Sequence, residues 1–286
     1  MEWQQLYVEN RPLLFSIAYR ILGTVTDAED IVQDVFLQAS GMELEKVENK
    51  KAYLSKMVTN RCLDHLKSAR VKREVYTGPW LPEPLIYQDN DPISEVMKGE
   101  VISIAVLFLL EKLNPIERAV FILREVLEYD YTVISEIVGR NEANCRKIFS
   151  RVKTKIPGMD VESTNIDEGK EDIVQNLVAA IHEGNLQKLE NWLSNDVILY
   201  TDGGGKVTAA IKPVQSRKLV FRFFTLLLEH FSKVPITIEL VNVNGEAGIL
   251  FIEPNHLKTV VSFKLEHEQI KEIYIMRNPD KLSHIS

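Results

Sequence analysis

A chain of 286 residues, 45% hydrophobic and 26% charged, is too long for one compact helical domain and apolar enough to bury two or three cores. Its two cysteines, Cys62 and Cys145, are far apart and lack metal-ligand spacing, so neither a disulfide framework nor a zinc site is expected and a reducing cytoplasm fits. The net charge of -7 argues against a nucleic-acid partner only if charge is spread evenly, and it is not. The amino terminus has no basic start before an apolar run, and the longest apolar stretch, 101–110, is about half of a membrane span. A soluble, cytoplasmic protein without metal or cofactor is the expectation.

Residues 3–72 read as helix throughout, in three pieces. Leu14, Ile17, Ala18 and Ile21 form an apolar stripe that Gly23 ends. Asp27 reads as the N-cap of the second helix, where Ile31, Val32, Val35, Phe36 and Ala39 repeat at amphipathic spacing. That helix also carries Asp27, Glu29, Asp30 and Asp34, which DNA would repel and a protein partner would not. The third helix, about 51–69, turns Leu54, Val58, Cys62, Leu66 and Ala69 inward and Lys56, Asn60, Lys67 and Arg70 outward. Residues 50–73 hold eight Lys/Arg against Asp64 alone, a local stripe of the kind phosphates feel because salt screens distant charge.

Residues 74–97 form a linker, since Gly78, Pro79, Pro82, Pro84 and Pro92 forbid a continuous helix. Its apolar Trp80, Leu81, Leu85, Ile86 and Tyr87 should pack on something. Residues 98–156 are helical again. Within them Val133, Ile134, Ile137 and Val138 make a short helix closed by Gly139, and Asn141 caps a second helix. There Cys145, Ile148, Phe149, Val152 and Ile156 share one face while Asn144, Lys147, Arg151 and Lys155 share another. Residues 140–155 hold six Lys/Arg against Glu142 alone. This is a helix-turn-helix, whose second helix suits the major groove. Asn144 and Lys147 are placed for base edges; Arg146, Arg151 and Lys153 for phosphates.

A polar linker at 157–169 separates this from 170–286. There helices at about 170–183 and 186–193 precede a strand at 197–201 and the turn Asp202-Gly203-Gly204-Gly205. A helix at about 213–231 leads to strands at 235–243, 247–253, 258–265 and 270–276, with Asn244-Gly245 as a hairpin turn. Helices followed by an antiparallel meander indicate a small α+β domain.

Several of these stretches resemble a known family. Asp27-Ala28-Glu29-Asp30-Ile31-Val32-Gln33-Asp34-Val35-Phe36 is similar to the region-two helix by which sigma factors clamp core RNA polymerase. Ala52-Tyr53-Leu54 and Asn60-Arg61-Cys62-Leu63-Asp64-His65-Leu66 resemble the segment that recognises and melts the −10 element, with Tyr53 where many relatives have Trp. Leu113-Asn114-Pro115-Ile116-Glu117-Arg118 and the helix-turn-helix resemble region four, which reads the −35 element. With no domain between them, the pattern is that of the extracytoplasmic-function group. Trp80-Leu81-Pro82-Glu83-Pro84, Asp202-Gly203-Gly204-Gly205-Lys206 and Asn278-Pro279-Asp280-Lys281-Leu282 further resemble the SigJ-like subgroup, which carries a SnoaL-like (NTF2-like) domain behind region four.

The resemblance implies a multidomain chain: two all-α helical sigma domains (1–73 and 98–156) and a C-terminal α+β NTF2-like domain (170–286) that regulates the sigma factor in cis. It implies core-polymerase contacts from Asp27, Glu29, Asp30, Gln33, Asp34 and Phe36. Contacts to the −10 element, double-stranded and then as melted non-template strand, fall to Lys56, Asn60, Arg61, Asp64, Lys67 and Arg70. Those to the −35 element fall to Arg140, Asn141, Asn144, Arg146, Lys147 and Arg151. Regulatory contacts fall to Trp80 through Pro84, docked near the turn Asp202 to Lys206, and to Asn278 through Leu282; the alternative is that the linker packs only on its own helical domain. NTF2-like folds also house isomerases and cyclases that use an Asp or His in their pocket. Here Asp196, Asp202, His182, His230 and His256, with Tyr200, form no dyad by spacing, so no catalytic residue is expected. The alternative function is a ligand-binding sensor or cyclase-type enzyme fused to a DNA-binding module, with a small molecule as partner.

Overall fold

The structure, a computed structural model, describes residues 2–42, 47–74, 76–86, 102–156, 168–184, 186–231 and 233–285. The chain divides into two compact units: Met1–Glu74 with Asn90–Ile102 and Val106–Ser163, and Val75–Asp89 with Ser103–Ala105 and Thr164–Ser286.

The first unit is helical. α1 (Glu2–Leu22) ends where Gly23 turns left-handed at φ 72. α2 (Val25–Ser40) is capped by Thr24 rather than by Asp27. Asp27 stands one turn in and accepts the Thr24 hydroxyl at 2.7 Å, so the acid sits in the first turn, where the helix dipole favours it. α3 (Lys50–Glu74) packs on both α1 and α2. Leu14, Ile17, Ala18, Ile21, Val35, Ala39, Leu54, Val58 and Cys62 are fully buried between them. Burial pushes the Cys62 thiol up, leaving it an inert core residue.

After α3 come α4 (Ile104–Leu110), which belongs to this unit from Val106 on, α5 (Pro115–Phe121), a π-helical turn (Ile122–Val126), α6 (Tyr131–Val138) and α7 (Glu142–Lys155). Asn114 and Glu117 close a capping box on α5, with bonds of 3.0 and 3.1 Å and Pro115 at the first helical position. These helices do not stand apart from the first three. α3 packs on α5 and α6, and Ser55, Thr59 and Leu63 form a second buried stripe on α3 beside Leu54, Val58 and Cys62. The Ser55 hydroxyl lies 3.5 Å from that of Tyr129.

Arg118, only 3% exposed, ties the parts together. Its guanidinium donates to the Ile21 carbonyl at the end of α1 (2.8 Å), to the Leu110 carbonyl at the end of α4 (3.1 Å) and to Glu111 (2.5 Å). Carbonyls at helix ends lack intrahelical donors, and one cation satisfies two of them.

The second unit is α+β. α8 (Glu168–His182), α9 (Leu186–Trp192) and α10 (Arg217–Phe231) lie with a six-stranded sheet. The strands are β1 (Leu193–Asp202), β2 (Val214–Gln215), β3 (Thr237–Val243), β4 (Glu246–Ile252), β5 (Lys258–Glu266) and β6 (Gln269–Met276). Their order is β2-β1-β6-β5-β4-β3. β1 and β6 run parallel and all other neighbours antiparallel. Asn244 and Gly245, at φ 52 and 79, make the β3–β4 turn as a two-residue hairpin needs. β1 begins four residues earlier than the sequence indicates, with a register shift between Leu193 and Ile198. The helix expected from 213 starts at Arg217, because Val214 and Gln215 pair with β1 instead. Alternation puts Leu199, Ile249, Phe251, Val261, Phe263, Ile273 and Ile275 on the helix side of the sheet, against Val174, Leu177, Val220 and Phe224.

Arg118→Ala is expected to cost about 3–5 kcal/mol, as for breaking a buried pair, seen as a lower urea midpoint of the helical unit; a wild-type midpoint would deny Arg118 its tying role.

Candidate functional site

The helix-turn-helix forms as its sequence dictates. Gly139 takes the left-handed conformation (φ 64, ψ 38) that closes α6, and the Asn141 side chain accepts from the Asn144 amide at 2.9 Å to start α7. Asn141 is therefore a cap as well as a candidate contact. Cys145, Ile148 and Val152 face the core. Arg140, Arg146, Lys147 and Arg151 are exposed, while Asn144 is half-buried.

Charge on α7 is less free than its sequence indicates. Lys153 pairs with Glu125, and Lys155 with Glu117 at 2.5 Å, so both brace α7 on neighbouring elements. Lys153 and Lys155 nonetheless keep 37% and 52% of their side chains exposed. Burial alone would raise the Glu117 carboxyl, but bonds from Lys155 and the Asn114 amide hold it below the ordinary range. Arg146 pairs with Glu142 at 3.3 Å on the surface. Arg140, Lys147 and Arg151 form no ion pair among the described residues, and they carry the free positive face.

On α3, Lys56, Asn60, Arg61, Asp64 and Lys67 are all exposed. Arg61 reaches Gln38 at 3.3 Å, and Lys67 and Asp64 form a fully solvated pair at 2.7 Å, which is worth little. The side chain of Arg70 lies outside the described residues.

On α2 the acids divide. Asp30, Gln33 and Asp34 are exposed, Glu29 meets Arg11 at 3.6 Å, and Asp27 lies 3.4 Å from His65. Phe36 does not share their face. It is 4% exposed and its ring centroid lies 4.6 Å from that of Tyr7, so it is a core residue of the helical unit. Leu37, 73% exposed, is the apolar residue on the acidic face. Its spacing from Asp30, Gln33 and Asp34 (i+7, i+4 and i+3) was the signal that identifies it.

Residues 76–86, here the strap, belong to the second unit; Tyr87 lies outside the described residues, as do 88–97 and 157–167. Asp202, fully buried, gathers one end of the strap. One carboxylate oxygen accepts the Tyr76 hydroxyl (2.5 Å) and the Gly204 amide (3.0 Å); the other accepts the Leu81 amide (2.9 Å) and Lys281 (2.8 Å). Lys281 also donates to the Leu81 carbonyl and sits 3.9 Å from the centre of the Trp80 ring, a cation–π contact. Asn278 donates to the Tyr76 hydroxyl at 2.9 Å. Burial, then the bond to Asp202, push the Tyr76 phenol up, so it remains a donor. Gly204, at φ 61, faces Asn278 so closely that a Cβ would lie 2.4 Å from its amide. Lys206 pairs with Asp280 at 2.6 Å, and Pro279 opens the 3-10 turn that ends at the buried Leu282. Gly203 has no room for a side chain beside Val207 and Ala209. Pro82, Glu83 and Pro84 are buried, and His284 meets the Pro84 carbonyl at 2.9 Å. At the other end Leu85 and Asn244 exchange bonds of 2.9 and 2.8 Å, and Ile86 bridges Val243.

Residues weighed for turnover are scattered. His182, His230 and His256 are exposed, as is Asp196, whose carboxyl Lys271 holds low. Tyr200 stacks on Tyr274 with centroids 5.6 Å apart, and Asp202 is engaged as described. No helix among the described residues is long and apolar enough to cross a membrane.

Comparisons with known proteins agree with this layout. The sequence model for Sigma-70 region 2 matches residues 6–71, and that for Sigma-70, region 4 matches 103–156. The ECF RNA polymerase sigma factor SigJ of Mycobacterium tuberculosis is 33% identical over 242 residues, 83% of this chain and 77% of that protein. The Probable ECF RNA polymerase sigma factor SigI of the same organism is 24% identical over 96% of this chain and 92% of its own length. The crystal structure of Mycobacterium tuberculosis SigJ superposes with a TM-score of 0.81 at 27% identity, over 98% of each chain. The chain therefore belongs to the extracytoplasmic-function RNA polymerase sigma factors, with regions two and four in its helical half and a SigJ-like α+β domain fused behind them.

Proposed function

We propose that the chain reads promoters through two separate basic faces, α3 on the −10 element and α7 on the −35 element, and that its carboxy-terminal unit controls when they are used. The observation that carries this is the contact between α3 and α6 inside one compact unit. The two elements lie about 25 base pairs apart, roughly 85 Å of duplex at ~3.4 Å per pair. Helices that touch cannot span that distance, so the packed helical unit is a resting state. Engagement with core polymerase separates α3 from α5 and α6 and exposes Ser55, Thr59 and Leu63.

In the separated state Lys56 and Lys67, with Arg70, hold phosphates. Asn60, Arg61 and Asp64 face the melted non-template strand, offsetting part of the few kcal/mol that unstacking a base requires. Lys147 and Arg151 anchor α7, with Arg140 and the partly covered Asn144 at its amino-terminal end near base edges. The polymerase face of α2 is Asp30, Gln33 and Asp34 around Leu37, with Glu29 and Asp27 at its margin. An apolar side chain ringed by acids is a docking anchor.

The strap links the two functions. It begins two residues after α3 ends and is fixed to Asp202, Lys281 and Asn244, so the carboxy-terminal unit holds the chain that leaves the −10 reader. The role proposed for the unit is positional: its helices and sheet pack on a core of Ile, Val, Leu and Phe, and the strap is held by Asp202 and Lys281.

Three measurements test this. Lys147→Ala and Arg151→Ala should each weaken promoter binding by the holoenzyme and lower the slope of log affinity against log salt by about 0.9; unchanged binding in both removes α7 from the account. Leu37→Ala should weaken core-polymerase binding about tenfold or more, equivalent to about 1.4 kcal/mol, without lowering the melting temperature. Lys281→Met leaves the Asp202 carboxylate buried and unpaired, so it should release the strap to proteolysis between residues 76 and 86 and change initiation from a fixed promoter. Equal transcription by the wild type, Lys281→Met and a chain ending at Lys155 would end the claim of control in cis.

A further inference from the structure

α10 carries two apolar stripes, and the core of its own unit takes up one of them. Val220 and Phe224 are buried there, with Leu227 half-buried beside them. Leu219, Phe223 and Leu226 repeat at i, i+4 and i+7 about a quarter-turn further round the helix. Leu219 and Leu226 are 51% and 57% exposed, and Phe223 is half-buried against Phe224, with ring centroids 6.1 Å apart. A single exposed leucine is ordinary; two in line with a phenylalanine make a seam.

We propose that this seam docks a second copy of the chain, with the two α10 helices lying antiparallel about a two-fold axis. Leu219, Phe223, Leu226 and His230 are spaced by four, three and four residues, the core pattern of two helices packed along their length. Around a two-fold axis the same patch meets itself. Phe223 then lies on Leu226 of the second copy and Leu219 on its His230, and each contact is made twice.

Charge selects both this occupant and this direction. Arg222 and Glu229 are exposed and stand on the solvent rim of the seam, each one residue before a seam position, Phe223 and His230. In an antiparallel helix pair these flanking positions face one another. Arg222 therefore meets Glu229 of the second copy, and Glu229 meets its Arg222. In a parallel pair the facing positions are Val220 and Leu227, which carry no charge and are turned to the core. The helix dipoles also favour the antiparallel arrangement. Within its own chain Arg222 has no carboxylate partner among the described residues.

The seam also limits how tightly the copies hold. One helix pair buries less than the roughly 1,200 Å² of a standard interface, so the dimer is weak and forms as concentration rises. His230, 3.9 Å from Glu253, is the polar residue in the seam pattern, and a polar residue at one such position sets register at some cost in stability. The apolar centre, Phe223 and Leu226, supplies the attraction, while the two rim pairs choose the direction.

The test is sedimentation of the full chain from about 1 μM to about 1 mM, a range that brackets weak association. The wild type should pass from monomer to dimer across it. Leu226→Glu sets a carboxylate against Phe223 of the second copy and should abolish the dimer throughout. Arg222→Glu and Glu229→Arg each set like charges opposite one another twice, so each alone should weaken association about tenfold. Mixed together they should associate again, because each supplies the charge the other lacks; the double variant Arg222→Glu/Glu229→Arg should do so by itself. A wild type that stays monomeric, a dimer that survives Leu226→Glu, single reversals that dimerise as the wild type does, or a mixture that stays monomeric overturns the proposal. So does a monomeric wild type whose binding to core polymerase falls in Leu226→Glu, which gives the seam to polymerase. The three positions are exposed, so melting temperatures should match the wild type; should Leu226→Glu unfold, the mixture carries the decision.

Discussion

Asp202 is a carboxylate with no access to water, and a buried charge survives only where donors replace the water it has lost. Four donors do so, and they come from three stretches remote in sequence: Tyr76 and Leu81 from the strap, Gly204 from the glycine turn, and Lys281 from the 3-10 turn. The constraint explains the composition around it. The chain after Asp202 must double back at once so that the Gly204 amide can reach the acid, and at φ 61 with Asn278 against it only glycine fits. Lys281 must be buried to meet Asp202, and the Trp80 ring covers its other side. Asp202 fixes the first half of the strap, as Asn244 fixes the second.

The helical unit solves the opposite problem, a buried cation, with backbone oxygens. Arg118 is answered by two carbonyls at helix ends and by Glu111. The two solutions differ in what they allow. Helix-end carbonyls such as Ile21 and Leu110 can be returned to water when helices separate, at the modest net cost of exchanging hydrogen bonds. Asp202 and Lys281 both belong to the body of the carboxy-terminal unit, so their pair does not depend on the strap; the strap adds the Tyr76 hydroxyl, the Leu81 amide and the Leu81 carbonyl to it.

Much of this was legible in the sequence, because periodicity reports which face is buried. The three helices of residues 1–73, the helix-turn-helix with its Gly139 and Asn141 signals, and the Asn244-Gly245 hairpin are all local patterns. What the sequence hid depends on neighbours. Ser55 and Thr59 look like surface residues until a second set of helices covers them. Phe36 falls in the acidic motif yet points to Tyr7. Lys153 and Lys155 count as basic charge until Glu125 and Glu117 take them up. Thr24 displaces Asp27 as the cap because helix start is fixed by backbone conformation, which a carboxylate three residues later can support as well as supply. The apolar residues among the prolines of the strap did announce that they needed a partner; which surface they would find was open, since a proline-rich extended segment can lie on any apolar face.

Net charge is the quantity that misleads most. At -7 the chain as a whole repels DNA, and that repulsion is useful. A sigma factor with evenly distributed positive charge would bind any duplex without polymerase, since phosphate contacts carry little sequence information. Here exposed cations concentrate on α3 and α7, the acids of α2 face elsewhere, and α3 is held against the helix-turn-helix. On the proposed reading, binding needs both faces at once, at a separation that the packed unit cannot supply. Weak attraction at each site and repulsion from the remainder would then make affinity depend on separating the two readers, and the step proposed for core polymerase would also be the step that confers selectivity.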